Sequence, residues 1–89
     1  MTDVESAKRL FFEALDFFDA NDFPNAEQRL RAALKFTPSS SSIFTNLAVT
    51  LLRQNKYGEA HEIAEKAIAS VPNNIEALLV LMACLIHEK

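Results

Sequence analysis

The chain has 89 residues and a formal net charge of −3, and 49% of its residues are hydrophobic while 24% are charged. This is the composition of one small folded domain, and a single glycine with three prolines excludes a glycine-rich phosphate loop or a many-stranded sandwich. Because Lys and Arg form no cluster, neither nucleic acid nor a membrane is expected as a partner. The lone Cys84 excludes an internal disulfide, and the N-terminal segment lacks the pattern of a secretory signal, so we expect a cytoplasmic protein.

Apolar residues at helical spacing predict five helices along the chain. Thr2 precedes Glu5 by three residues, the capping-box spacing, at the predicted start of the first helix. Asn73 and Glu76 repeat that spacing before the fifth helix. The predicted helices span residues 3–20, 23–36, 40–54, 57–70 and 74–88.

The boundaries between these helices also have chemical causes. Asn21 and Asn55 are expected to turn the chain through the left-handed conformation, which Asn tolerates better than most residues. Pro38 and Pro72 end the second and fourth helices because proline cannot donate the next hydrogen bond. Lys56 is a poor N-cap and predicts a locally weak start of the fourth helix.

An internal repeat of 34 residues relates the two halves of the chain. It superposes Asn21 on Asn55 and Ala26 on Ala60, and it brings the two prolines into register. The small side chains of Ala26 and Ala60 predict close approach of paired helices, because a larger residue would force the helices apart.

Two segments at this spacing, NDFPNAEQRLRAALKFTP and NKYGEAHEIAEKAIASVP, resemble the second half of a tetratricopeptide repeat. Both have an aromatic residue, alanine positions and a closing proline in family order. The resemblance implies an all-α superhelix of antiparallel helix hairpins, forming a single domain over residues 1–89. It divides the chain into a first repeat near 3–38, a second near 40–72 and a half repeat near 73–89.

The resemblance also implies that the first helix of each pair lines a concave groove for a protein partner. The segment FTNLAVTLLRQNKYGEA is similar to repeats of the O-linked N-acetylglucosamine transferase type, in which groove asparagines hold the ligand backbone. Asn46 is therefore expected to pair with the main chain of a peptide, while apolar neighbours accept side chains or an amphipathic helix. Alternatively, several of these apolar residues belong to the core. The predicted groove comprises Phe11, Leu15, Phe18, Asn46, Val49, Leu52, Arg53 and Leu79.

Family members that clamp the C-terminal carboxylate of a chaperone use Lys and Asn in the first unit and Lys and Arg in the third. At the matching places this chain has Phe11, Leu15, Glu76 and Val80, so the clamp is absent apart from Asn46. An acidic C-terminal tail is therefore not the expected ligand.

The two ends of the predicted array differ in polarity. Arg9, Glu13 and Asp16 share one face of the first helix and predict an N-terminal cap, since terminal repeats need a polar outer face. At the other end an apolar stripe of the fifth helix has no predicted helix to cover it: Leu78, Met82 and Leu85. Either the chain is part of a longer repeat protein, or the stripe packs against another copy, or it stays exposed.

No convergent acid–base pocket can be assembled from the two histidines, so the chain is predicted not to be an enzyme. Cys84 and His87 share a helix face, but zinc sites need three or four ligands, and His87 is expected to be a frayed terminal residue. We expect no metal and no cofactor. The predicted function is a noncatalytic protein-interaction module that binds a peptide, an amphipathic helix or another copy through the apolar concave groove. The alternative is an N-terminal repeat segment of a larger enzyme, such as a bacterial glycosyltransferase or methyltransferase.

Overall fold

In the computed structural model, residues 2–87 are described, and this part of the chain contains five α-helices and no strand. The helices agree with the predicted ones to within one residue, which confirms the all-α helical repeat fold. Residues 88 and 89, at the end of the predicted fifth helix and half repeat, lie outside the described part. The helices are α1 (Asp3–Asp19), α2 (Phe23–Phe36), α3 (Ser41–Arg53), α4 (Tyr57–Ser70) and α5 (Ile75–His87).

The helices form two hairpins, α1 with α2 and α3 with α4, and α5 packs on the second hairpin. α2 contacts α3, and α5 contacts both α4 and α3, so each helix lies against its neighbours in the chain and the array is elongated, 44 × 28 × 17 Å. Leu30, Leu47 and Leu51 are the largest apolar side chains that are fully buried along this array. Ala26 and Ala60 are also fully buried, as the small-residue pattern predicts.

Both hairpins turn through an asparagine in the left-handed conformation, as predicted. The φ angle is 60° at Asn21 and 61° at Asn55. Before the first turn, the carbonyl oxygen of Phe17 accepts a hydrogen bond of 2.8 Å from the amide of Asp22. The equivalent bond 34 residues later is 3.0 Å long, so the sequence repeat is reproduced in the backbone.

Replacing Asn21 with alanine should lower the free energy of unfolding by about 1 kcal/mol, because a Cβ without a compensating polar group is strained at positive φ. Glycine at the same position should be close to neutral, since glycine adopts this conformation without strain. Urea unfolding of both variants measures the difference. An alanine variant as stable as the glycine variant would contradict this explanation of the turn.

The helix starts follow the predicted caps in part. The Thr2 hydroxyl accepts a hydrogen bond of 3.1 Å from the amide of Glu5, which confirms the first cap. The predicted cap of α5 by Asn73 is wrong: the side chain of Asn74 accepts the 3.1 Å hydrogen bond from the amide of Ala77. The side-chain amide of Asn74 also donates hydrogen bonds to Ser41 and Thr45 of α3. Asn74 is therefore held in place, whereas Asn73 is exposed.

The start of α4 is weak, as predicted. Lys56 makes no side-chain hydrogen bond to the first turn. At the equivalent place before α2, the carboxylate of Asp22 accepts one of 3.4 Å from the amide of Asn25. The two hairpins therefore differ in how their second helices begin.

The outer face of α1 is polar. Arg9 and Asp16 are exposed, and Glu13 accepts a hydrogen bond of 3.1 Å from Arg29 on α2. The guanidinium of Arg29 also lies 5.3 Å from the ring centroid of Phe17. The contact between Glu13 and Arg29 therefore joins α1 to α2. The role of α1 as the N-terminal cap of the array stays a prediction.

Candidate functional site

A pocket of about 370 Å³ lies where α1, the first turns of α3 and the start of α5 meet. Phe11 from α1 and Asn46 from α3, two of the eight predicted groove residues, both line it. Glu76 lies at the α5 side of the pocket. The lining residues are Phe11, Ser41, Ser42, Thr45, Asn46, Val71, Asn74 and Glu76.

A hydrogen-bond network fixes the floor of this pocket. The Asn74 amide group donates to the hydroxyl oxygen of Thr45 at 2.7 Å and to that of Ser41 at 3.4 Å. Nδ2 of Asn46 donates to the carbonyl oxygen of Ser42 at 2.9 Å. Oδ1 of Asn46 accepts no hydrogen bond from any described residue, so it can accept one from a ligand N–H group.

A second, more apolar pocket of about 190 Å³ adjoins the first. Phe11 and Ser42 line both, so the two pockets meet at these residues. Lys8 lies at the second pocket, whose lining residues are Val4, Ala7, Lys8, Phe11, Thr37, Ser40, Ser42 and Ile43.

The two pockets carry opposite charges. Lys8 lies at the apolar pocket and Glu76 at the polar one. Within the described residues neither side chain forms an ion pair. Both charges are therefore available to a ligand that spans the two pockets.

The other predicted groove residues lie outside these pockets. Val49 and Leu52 are half-buried and pack against the core, as the core alternative describes. Leu15 is half-buried on α1, while Leu79 is exposed on α5. The structure therefore places Phe11 and Asn46 at one pocket, and these four residues line neither pocket.

Phe18 and Arg53 form a separate aromatic cluster. The ring of Phe18 packs edge to face against Phe23, with centroids 5.2 Å apart. The guanidinium of Arg53 lies 5.6 Å from the Phe18 ring and 5.7 Å from the Phe23 ring, in cation–π geometry. These contacts join the end of α3 to the turn between α1 and α2.

The predicted apolar stripe on α5 is exposed and is wider than the sequence indicated. Leu78, Met82 and Leu85 are exposed to 39%, 59% and 57%. Three further residues extend the stripe along the helix. We call this surface the α5 face: Ile75, Leu78, Leu79, Met82, Leu85 and Ile86.

A polar cluster centred on Glu27 joins α2 to the turn between α3 and α4 and was not expected from the sequence. Glu27 accepts hydrogen bonds from Arg31 at 2.8 Å, Gln54 at 2.9 Å and Lys56 at 3.0 Å. Glu27 and Arg31 have the i, i+4 spacing typical of a solvated pair on a helix surface, but the side chain of Glu27 is only 14% exposed. The spacing of residues along α2 could not predict the contacts that Gln54 and Lys56 make with Glu27.

The charge state of Glu27 follows from these contacts. Burial opposes ionisation, but hydrogen bonds from Arg31, Lys56 and Gln54, with the charge of Arg31, outweigh burial and lower the pKa of the Glu27 carboxyl group from 4.5 to about 2. Glu27 is therefore ionised at neutral pH. The ion pair with Glu27 also anchors Lys56, the residue before α4, to α2.

The described residues contain neither a metal-ligand cluster nor a membrane-spanning helix. Residues 2–87 contain no group of three His, Cys, Asp or Glu side chains placed to hold a metal ion. None of the five described helices has the length and hydropathy needed to cross a bilayer. The prediction that His87 is frayed is wrong, since its ring stacks on Tyr57 with centroids 4.6 Å apart.

Comparison with known proteins bears on the second hairpin and on the overall fold. Residues 41–70, which span α3 and α4, match the family model described as a tetratricopeptide repeat. A solved structure, "TPR2AB-domain:pHSP90-complex of yeast Sti1", superposes with a TM-score of 0.88 and is 26% identical. The match covers 93% of this chain and 32% of that chain, so the chain spans about a third of the structure's length. No curated protein matches the sequence.

These findings confirm the resemblance to tetratricopeptide repeats and the fold that it implies. The finer similarity to repeats of the O-linked N-acetylglucosamine transferase type stays a prediction.

Proposed function

We propose that the chain is a noncatalytic protein-interaction module that binds an extended peptide across α1, α3 and α5. The observation that carries this proposal is the pocket in which Phe11 and Asn46 meet, because an aromatic ring and an available amide oxygen there suit a peptide side chain and main chain. The similar yeast structure is a complex with pHSP90, which supports a protein ligand on this fold. The repeat division near 3–38, 40–72 and 73–89 is part of the same proposal.

The lining of the pockets indicates the chemistry of the ligand. Oδ1 of Asn46 accepts a main-chain N–H, and the smaller pocket accepts an apolar side chain beside Phe11. Lys8 favours an acidic ligand residue near that side chain, and Glu76 favours a basic one at the other end. The ligand class is thus an extended peptide with an apolar anchor between opposite charges.

A chaperone tail of the clamp type is a poor fit. The third-unit clamp positions are occupied here by Glu76, which is negatively charged, and Val80, which is buried. An acidic terminal carboxylate would meet repulsion from Glu76 where the clamp supplies cations. The proposed ligand therefore differs from the clamp ligand although the folds agree.

Replacing Asn46 with alanine should weaken peptide binding about three- to tenfold, as expected for one lost hydrogen bond of about 0.5–1.5 kcal/mol. The melting temperature should change little, because the Asn46 side chain bonds only within its own helix. The probe is a peptide selected from a phage-displayed random library on the wild-type chain and measured by titration calorimetry. Asn73→Ala, at an exposed asparagine outside both pockets, is the control.

Unchanged affinity in the Asn46→Ala variant would remove Asn46 from the site. Repeating the selection on a Lys8→Glu variant tests the proposed charge pattern, since the preferred acidic position should become basic. A library that yields no binding peptide would contradict the peptide-binding function as a whole.

The alternative of a repeat segment within a larger enzyme remains a prediction. Such a segment would serve substrate-protein recognition or oligomerisation and would use the same groove or the α5 face. It predicts further repeats and a catalytic domain in the native gene beyond codon 89, which sequencing that gene would show.

A further inference from the structure

The α5 face has the residue spacing of a helix that pairs with another helix. Ile75, Leu78, Met82 and Leu85 are separated by three, four and three residues, which places them at successive a and d positions of a heptad. Leu79 and Ile86 occupy the two adjacent e positions. The opposite side of α5 is buried against the rest of the array through Ala77, Val80 and Cys84.

The spacing three, four, three reads the same in both directions along the helix. If a second α5 lies antiparallel to the first, Ile75 of each copy meets Leu85 of the other. Leu78 then meets Met82 in the same way, with a two-fold axis level with Val80. A contact of this kind is self-complementary, as a closed two-fold dimer requires.

The exposed area is of the size that a dimer needs. Six side chains exposed to 39–70% leave on the order of 100 Å² each, roughly 600 Å² together, which is the upper end for the largest apolar patch of a monomer. Complete burial of two such faces would remove roughly 1,200 Å² from water before flanking contacts are counted, which is the lower end of the range for a specific interface.

The positions of the charged residues on α5 also favour a second copy of the chain as the partner. Glu76 and His87 are the charged or titratable residues within Ile75–His87, apart from the buried Cys84, and both fall at heptad positions outside a, d and e. The α5 face is therefore apolar along its length. It has no charged group to pair with a charged peptide, and it matches an equally apolar helix face. The α5 of another copy is such a face.

We propose that two copies of this chain dimerise through an antiparallel α5–α5 contact in the register that pairs Ile75 with Leu85. The contact is independent of the peptide groove, because Glu76, the residue of α5 that lines the pocket, lies outside the α5 face. Leu79, assigned to the groove from the sequence, belongs to the dimer contact in this proposal.

Sedimentation equilibrium over a concentration series tests the dimer. The wild-type chain should be dimeric at micromolar concentrations, and Met82→Glu should weaken dimerisation roughly 100-fold or more, because each copy would bury an unpaired carboxylate. Phe36→Glu, an equal charge change at an exposed apolar residue outside both pockets and outside α5, should leave the dimer intact. A wild-type chain that stays monomeric at the highest concentration, or equal weakening by both substitutions, would overturn the proposal.

Cysteine cross-linking tests the register in a Cys84→Ala background whose folding is verified by circular dichroism. An Ile75→Cys chain is mixed with a Leu85→Cys chain and oxidised. The antiparallel register predicts that disulfides form between the two different chains, since two copies of residue 75 would lie about 15 Å apart along the axis, beyond disulfide reach. Disulfides mainly between identical chains, or no preference, would overturn the register even if the protein is a dimer.

Discussion

Replacing Ala60 with leucine is expected to lower the free energy of unfolding by about 1–3 kcal/mol. Ala60 is fully buried in the core and belongs to α4, which packs against α3 in the second hairpin. The added methylene groups have no space at this approach, so the helices of the second hairpin must separate or the side chain must adopt a strained rotamer. A domain of 89 residues has a total stability of only about 4–13 kcal/mol, so the loss is a large fraction.

Ala69→Leu is the matched control, because it makes the same chemical change at an exposed position of the same helix. Its stability should stay within about 0.5 kcal/mol of the wild type. Thermal and urea unfolding of both variants measure the difference. If Ala60→Leu melts at the wild-type midpoint, the close approach of α3 and α4 at this position is wrong.

The helices and turns could be predicted because their causes are local. Helical spacing of apolar residues, the Thr2 cap and the two asparagine turns all act within a few positions of the chain. The one cap predicted wrongly, at Asn73, failed for a non-local reason. The side chain of Asn74 is held by Thr45, a residue of another helix 29 positions earlier.

The candidate site could be predicted only in part. The family resemblance pointed to Phe11 and Asn46, which lie one position apart in the repeat register, because it implies that the first helices of successive units line one groove. It could not show that Arg53 lies over the rings of Phe18 and Phe23, since that contact depends on how far α3 extends past the first turn. Nor could the sequence pattern show the cluster around Glu27, in which Gln54 and Lys56 contact α2 from the turn between α3 and α4.

The neutral variant Glu27→Gln should be less stable than the wild type at neutral pH, by up to about 3 kcal/mol, because each pKa unit corresponds to about 1.4 kcal/mol. The pKa of Glu27 falls from 4.5 in the unfolded chain to about 2 in the folded one. A lowered folded pKa contributes stability that is fully present above pH 4.5 and is lost as the pH falls towards 2. The stability difference between wild type and variant should therefore shrink over that pH range.

Urea unfolding of the wild-type and Glu27→Gln chains at a series of pH values measures this difference. Glu62→Gln removes the same charge from an exposed position of α4, so its effect on stability should be small. The reason for a large effect at Glu27 is geometric: one carboxylate accepts from α2, from the end of α3 and from Lys56, so its neutralisation loosens both hairpins where they join. A constant difference between wild type and Glu27→Gln from neutral pH down to pH 2 would show that the ionised carboxylate is not what holds this junction.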